Sequence, residues 1–198
     1  AIINTIIMTA LSLIIAVPLG VFSAVYLVEY AKRGNKLVSV IRMTAETLTG
    51  IPSIVYGLFG FLLFVIACKF SYSIIAGALT LSIMVLPVIL RTTEEALKAV
   101  PDTYREGSFG LGAGRLRTVF KVVLPSAVPG IVAGIILSVG RIVGETAALI
   151  YTSGTVAGVA ENLLSSGRTL SVHMYALSSE GLHVDQTYAT AVVLLIMV

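Results

Sequence analysis

Two residues that could do chemistry, Arg141 and Glu145, stand four apart near the end of an otherwise apolar run. Arg141 lies 16 residues beyond Pro125, which at the helical rise of about 1.5 Å per residue puts it about 24 Å along a helix. A cation at that depth in hydrocarbon costs about 2.5–3.5 kcal/mol, so it must face a protein interior or a cavity and have a partner. A helical spacing of four makes Glu145 the expected partner. An arginine held by one carboxylate still has donors left for a bidentate clamp on an oxyanion such as phosphate. The same pair also suits a structural role, gluing helices together. Arg91, at the polar end of another apolar run, is a second candidate for an anion path and equally a plain interfacial anchor.

Other constellations carry less. The cluster Gly110-Leu111-Gly112-Ala113-Gly114 lacks the Lys-Ser/Thr of a phosphate-binding loop and follows no strand pattern. If a nucleotide is used, another chain supplies its site, and no cofactor is expected in this one. His173 and His183 stand ten apart without a Cys or acidic ligand pattern, so no metal site is expected. No nucleophile elbow appears, and no catalytic residue is assigned. The single cysteine, Cys68, sits in an apolar run and cannot form a disulfide within the chain.

The elements that must position these residues are membrane helices. Hydrophobic residues make up 57% of the chain and charged ones 12%, with a mean hydropathy of +1.02, against roughly 45–50% and about 25% in soluble domains. The fold class is therefore an all-α, polytopic helical bundle. Four runs are long enough to cross a bilayer, about 2–28, 48–68, 73–91 and 126–151. A fifth starts near 187, and its apolar part, Ala189 to Val198, is short for a span, so it is expected to continue further. The chain opens with neither Met nor a basic signal-peptide region, so the first run is read as a mature span.

A net charge of +3 would hint at nucleic acid in a soluble chain. In a membrane chain it marks the cytoplasmic side, and no nucleic-acid partner is expected. Lys32, Arg33, Lys36 and Arg42 follow the first run, and Arg91, Lys98, Arg105, Arg115, Arg117 and Lys121 follow the third. The opposite connections hold only Lys69 and Arg168. This ten-to-two asymmetry runs the first span from outside to inside.

It also makes the stretch 92–125 cytoplasmic. There Pro101-Asp102 starts one helix, the glycines from Gly107 to Gly114 make a corner, and Leu116, Val119, Phe120 and Val123 form the apolar stripe of a second. Gly50 to Gly60 places Pro52 and three glycines at the start of a span, suited to close helix packing or to lining a path. Gly130 with Gly134, and Gly140 with Gly144, repeat the small-xxx-small spacing.

The order Glu106-Gly107-Ser108, three residues, Gly112, nine residues, Val122, one residue, Leu124-Pro125 resembles the EAA loop of ABC importer permeases. Gly107 and Ser108 stand for its alanines and Val122 for its isoleucine. The strings from Gly50 to Gly60, from Arg91 to Leu97 and from Gly144 to Leu149 are similar to those of PstA-type permeases of phosphate-specific transport systems. The sister PstC type generally differs after Gly-Glu-Thr.

This resemblance implies a single MetI-like transmembrane domain over 1–198 in the cytoplasmic (inner) membrane of a prokaryote. It implies that Glu106, Gly107, Ser108, Gly112, Leu124 and Pro125 belong to a helix that couples to an ATPase. The implied partners are a PstC-like second permease, two PstB-like ATPases that hold ATP and Mg, and an external PstS-like phosphate-binding protein. The implied substrate path includes Arg141 and Glu145. Rival readings are a permease for sulfate or molybdate, and a passive channel or signalling scaffold. The outer connection 152–186, polar at Ser165-Ser166 and Ser178-Ser179, is a candidate contact for the binding protein.

Overall fold

The computed structural model describes residues 1–32, 34–181 and 183–198; Arg33, one of the ten cations expected on the cytoplasmic side, lies outside them. Every regular element among the described residues is a helix. In chain order they are α1 (Ile2–Tyr30), α2 (Lys36–Thr49), α3 (Ser53–Ala67) and α4 (Ile74–Lys98), then α5 (Asp102–Gly110) and α6 (Arg115–Gly144). The short α7 (Ala147–Thr152), α8 (Leu170–Glu180) and α9 (Val184–Met197) follow. Among the described residues α1, α4 and α6 are each long and apolar enough to cross a bilayer, and a fourth crossing arises if α2 and α3 are one broken span.

In α4, 67% of the most apolar stretch is buried, against 33% in α1 and 28% in α6. The apolar side chains that α1 and α6 leave exposed, such as Ile14, Phe22, Ile136 and Leu137, form a surface that water would not tolerate over this area and that lipid solvates.

Several boundaries differ from those drawn by hydropathy. The run 48–68 divides at Gly50-Ile51-Pro52, because proline has no N–H to donate and turns its predecessor away from helix. The helix of the third run continues to Lys98, and the fourth begins eleven residues early, at Arg115, and stops at Gly144. Much of 92–125 is thus the polar ends of two long helices, with α5 between them. Pro18, Pro87 and Pro129 sit inside α1, α4 and α6, as membrane helices permit.

The chain forms two compact units. One comprises Ala1–Ala16, Gly50–Val85 and Val139–Val198. Its core holds Met8, Ile74, Leu81, Met84 and Leu149. Gly77 lets Met8 approach, since a Cβ there would lie 2.9 Å from its sulfur. Ser12 Oγ donates to Met8 O (2.8 Å) and Ala78 O (3.2 Å), and Ser82 Oγ donates to Ser12 O (3.1 Å), so hydroxyls cross-link the start of α1 to α4. Asn4, wholly buried, clasps the segment between α7 and α8. Its Nδ2 donates to Gly158 O (2.8 Å) and Arg168 O (3.1 Å), and its Oδ1 accepts from Ala160 N (3.2 Å).

The second unit comprises Val17–Thr49 and Leu86–Ser138. Ala24, Val25, Leu97, Val100, Val119 and Val123 make its core, and Val38 of α2 packs with Leu27 and Leu90. The pair Gly130 and Gly134 is a packing device here, because Cβ atoms at these positions would run into Ala96 and Thr92 of α4. Gly144, by contrast, has nothing within 4 Å of its would-be Cβ.

Candidate functional site

Arg141 occupies the last turn of α6 and is partly buried. Its expected partner is elsewhere. The helix ends at Gly144, and Thr146 leaves helical geometry at φ −121° and ψ −52°, so Glu145 does not follow Arg141 around one helical face. The Glu145 carboxylate turns to the next helix instead. Its Oε1 accepts from Ala148 N (3.0 Å), satisfying one of the orphan donors at the start of α7. The Glu145 N–H donates to Ile142 O (3.2 Å) and its carbonyl accepts from Ser171 Oγ (2.6 Å). Glu145 is therefore a buried joint that fixes the break between α6 and α7.

Arg141 forms no ion pair among the described residues. Its guanidinium lies within electrostatic reach of the Tyr56 phenol on α3. A half-buried arginine at the end of an apolar helix without a carboxylate partner keeps its planar donor fork available for a tetrahedral anion. The α3–α7 contact depends on glycine: a Cβ at Gly57 would stand 2.8 Å from Ala148 Cα, and one at Gly60 would stand 3.0 Å from Thr152 Cγ2 and run into Thr80 of α4.

Arg91 has committed its charge. It lies 3.2 Å from Glu95 and 3.7 Å from Glu46 and is 55% exposed, an arrangement worth little in stability.

The corner between α5 and α6 is built around Gly112, whose φ of +80° is a left-handed conformation that glycine adopts without penalty. Gly112 N–H donates to Phe109 O (2.9 Å) and Ala113 N–H to Ser108 O (3.1 Å), closing the end of α5. Ser108 Oγ and Thr118 Oγ1 share a hydrogen bond of 2.8 Å that ties α5 to α6. Glu106, Gly107 and Pro125 are exposed and Leu124 is half-buried. The expected apolar stripe divides: Val119 and Val123 are buried in the unit, while Leu116 and Phe120 face outward with Phe109 and Leu111.

A connection that charge counting did not single out holds this corner. Arg105, 15% exposed, meets the buried Glu29 of α1 through Nη2–Oε1 at 2.7 Å and Nε–Oε1 at 3.2 Å. Its remaining donors reach Leu97 O (3.0 Å), Val100 O (2.8 Å) and Asp102 Oδ1 (3.2 Å). Arg115 donates to Glu29 O and lies 5.2 Å over the Tyr30 ring. The available signal was Glu29 itself, a carboxylate in the closing turns of a long apolar run.

Comparison with known families matches residues 16–198 to the binding-protein-dependent transport system inner membrane components. The chain belongs to that family. The chain's fold is similar to that of a chain of the inward-facing MetNI methionine ABC transporter, with a TM-score of 0.72 and 22% identity over 98% of this chain and 84% of that one.

Among relatives by sequence, the chain is 39% identical over 188 residues to a probable ABC transporter permease protein, YqgI, of Bacillus subtilis, covering 88% of this chain and 64% of the relative. It is 43% identical over 154 residues to the phosphate transport system permease protein PstA 1 of Mycobacterium tuberculosis strain H37Rv, covering 78% and 49%. It is 40% identical over 140 residues to PstA of Yersinia pestis, covering 71% and 47%. The chain thus spans about half to two-thirds of the length of these relatives. As a transport-system inner membrane component it is a multi-pass membrane protein.

Proposed function

We propose that the chain forms the membrane path of an ATP-driven importer of inorganic phosphate, in the cytoplasmic membrane of a prokaryote. The observation that carries this reading is the identity of about 40% to phosphate transport permeases from separate organisms. The uncommitted Arg141 supplies an anion ligand of suitable chemistry in the apolar helix that such a path requires. Phosphate released on the outer side passes Arg141 and leaves to the cytoplasm by alternating access. Arg91, held by two carboxylates, serves the path only if those contacts open.

The corner from Glu106 to Pro125 couples this movement to ATP. Leu111 is 91% exposed and Leu116 67%, an apolar tip on a polar cytoplasmic corner, suited to a cleft on an ATPase. In this reading two PstB-like ATPases hold ATP and Mg, a PstC-like permease completes the path, and a PstS-like binding protein delivers phosphate on the outer side.

The test is uptake of labelled phosphate into proteoliposomes that contain the complete importer. Uptake that requires enclosed ATP and resists excess sulfate is expected. Uptake without ATP would replace the importer by a channel. Suppression by sulfate or molybdate would replace phosphate by another oxyanion.

A further inference from the structure

On the cytoplasmic side of the second unit, the end of α1, the start of α2, α5 and the first turn of α6 enclose a cavity of about 1030 Å³. Among the described residues six cationic side chains line it against two acidic ones, Glu29 and Asp102. Four of the six are already engaged. Arg105 and Arg115 are bound to Glu29. Arg42 and Lys98 lie 2.7 and 2.6 Å from Oε1 of the buried Glu94. Lys32 and Lys36 remain, exposed at the cavity wall and without an ion pair among the described residues. Two lysines that face one concavity repel each other unless an anion sits between them.

Next to these lysines the surface of α2 is apolar. Leu37, Val40 and Met43 recur every three residues along α2 and are 61%, 60% and 66% exposed. Lys36 precedes Val40 and Met43 by four and seven residues and so shares their side of α2, with Lys32 just before the helix. A short helix with cations at its start and bare aliphatic residues along the same side, at the end of a membrane span, lies in the headgroup region of a bilayer. The occupant must therefore offer both an anionic phosphate and hydrocarbon. A free phosphate would match Lys32 and Lys36 and leave Leu37, Val40 and Met43 in water. A neutral lipid would cover the apolar residues and leave the lysines uncompensated.

We infer that this cavity is a binding site for the headgroup of an anionic phospholipid, with the phosphodiester at Lys32 and Lys36 and the acyl chains along Leu37, Val40 and Met43. The site is independent of which solute the permease carries. Basic pockets at the cytoplasmic ends of membrane helices recognise headgroups by this combination of charge and enclosure.

The experiment is a lipid titration of the complete detergent-purified importer, with bound lipid counted by native mass spectrometry and phosphatidylglycerol compared with phosphatidylcholine. The native importer should bind phosphatidylglycerol in preference. The double variant Lys32→Gln/Lys36→Gln should weaken that binding about 30-fold, the equivalent of about 2 kcal/mol, and Lys32→Arg/Lys36→Arg should restore it. Both lysines are exposed, so the thermal unfolding midpoint should stay at the native value in all three proteins. Equal phosphatidylglycerol affinity in the native and glutamine proteins would overturn the assignment. So would displacement of the lipid by millimolar inorganic phosphate, which would give the cavity to the free anion.

Discussion

An unpaired guanidinium in an apolar helix is a cost unless something anionic visits it, and Arg141 is legible in the sequence for that reason: it is the one cation within a long apolar run. Its surroundings were not legible. The four-residue spacing to Glu145 describes an ion pair only while the helix is continuous, and the break after Gly144 is held by the Ala148 N–H and by the hydroxyl of Ser171, which comes from a distant part of the chain. Glycines were readable as packing sites but not individually. Gly57 lies against the backbone of Ala148, with a would-be Cβ 2.8 Å from its Cα. Gly57→Val should therefore destabilise the protein by about 1–3 kcal/mol, seen as a lower unfolding midpoint in detergent, whereas Gly144→Ala, facing open space, should leave it unchanged. Equal midpoints for native and Gly57→Val would show that α3 and α7 do not meet as described.

Among the elements, the corner between α5 and α6 combines a fixed base with a bare tip. At the base, Arg105 is enclosed by Glu29, Leu97 and Val100. Arg105→Ala leaves a buried carboxylate without its partner, so a loss of roughly 3 kcal/mol is expected, together with faster protease cleavage between 99 and 118. Native-like cleavage would contradict the anchoring role. At the tip, Leu111→Asp changes a 91% exposed residue and should shift stability by less than about 0.5 kcal/mol. It should nevertheless reduce recovery of the ATPase in a pull-down of the complex, and undiminished recovery would move the docking surface away from Leu111.

The helix–corner–helix order was readable because Pro101, Gly112 and the alternation of charge with apolar residues are local signals. The helix ends were displaced because hydropathy tracks lipid exposure, whereas helix continuation follows backbone hydrogen bonding. Thus α4 and α6 extend into water as polar turns.

For the whole molecule, the helical membrane class follows from composition, which is a global property of the chain. The division into two units had no counterpart in the sequence, because α1, α4 and α6 run through both without a composition break. The test closest to the central claim joins the residue to the transport cycle. Labelled phosphate uptake and phosphate-stimulated ATP hydrolysis would be measured in proteoliposomes holding the complete importer, native or Arg141→Gln, at equal protein content. The native complex should accumulate phosphate with ATP enclosed, and Arg141→Gln should lose uptake by at least about tenfold while the complex still assembles. Uptake at the native rate in assembled Arg141→Gln complexes would contradict a phosphate path that runs past this arginine.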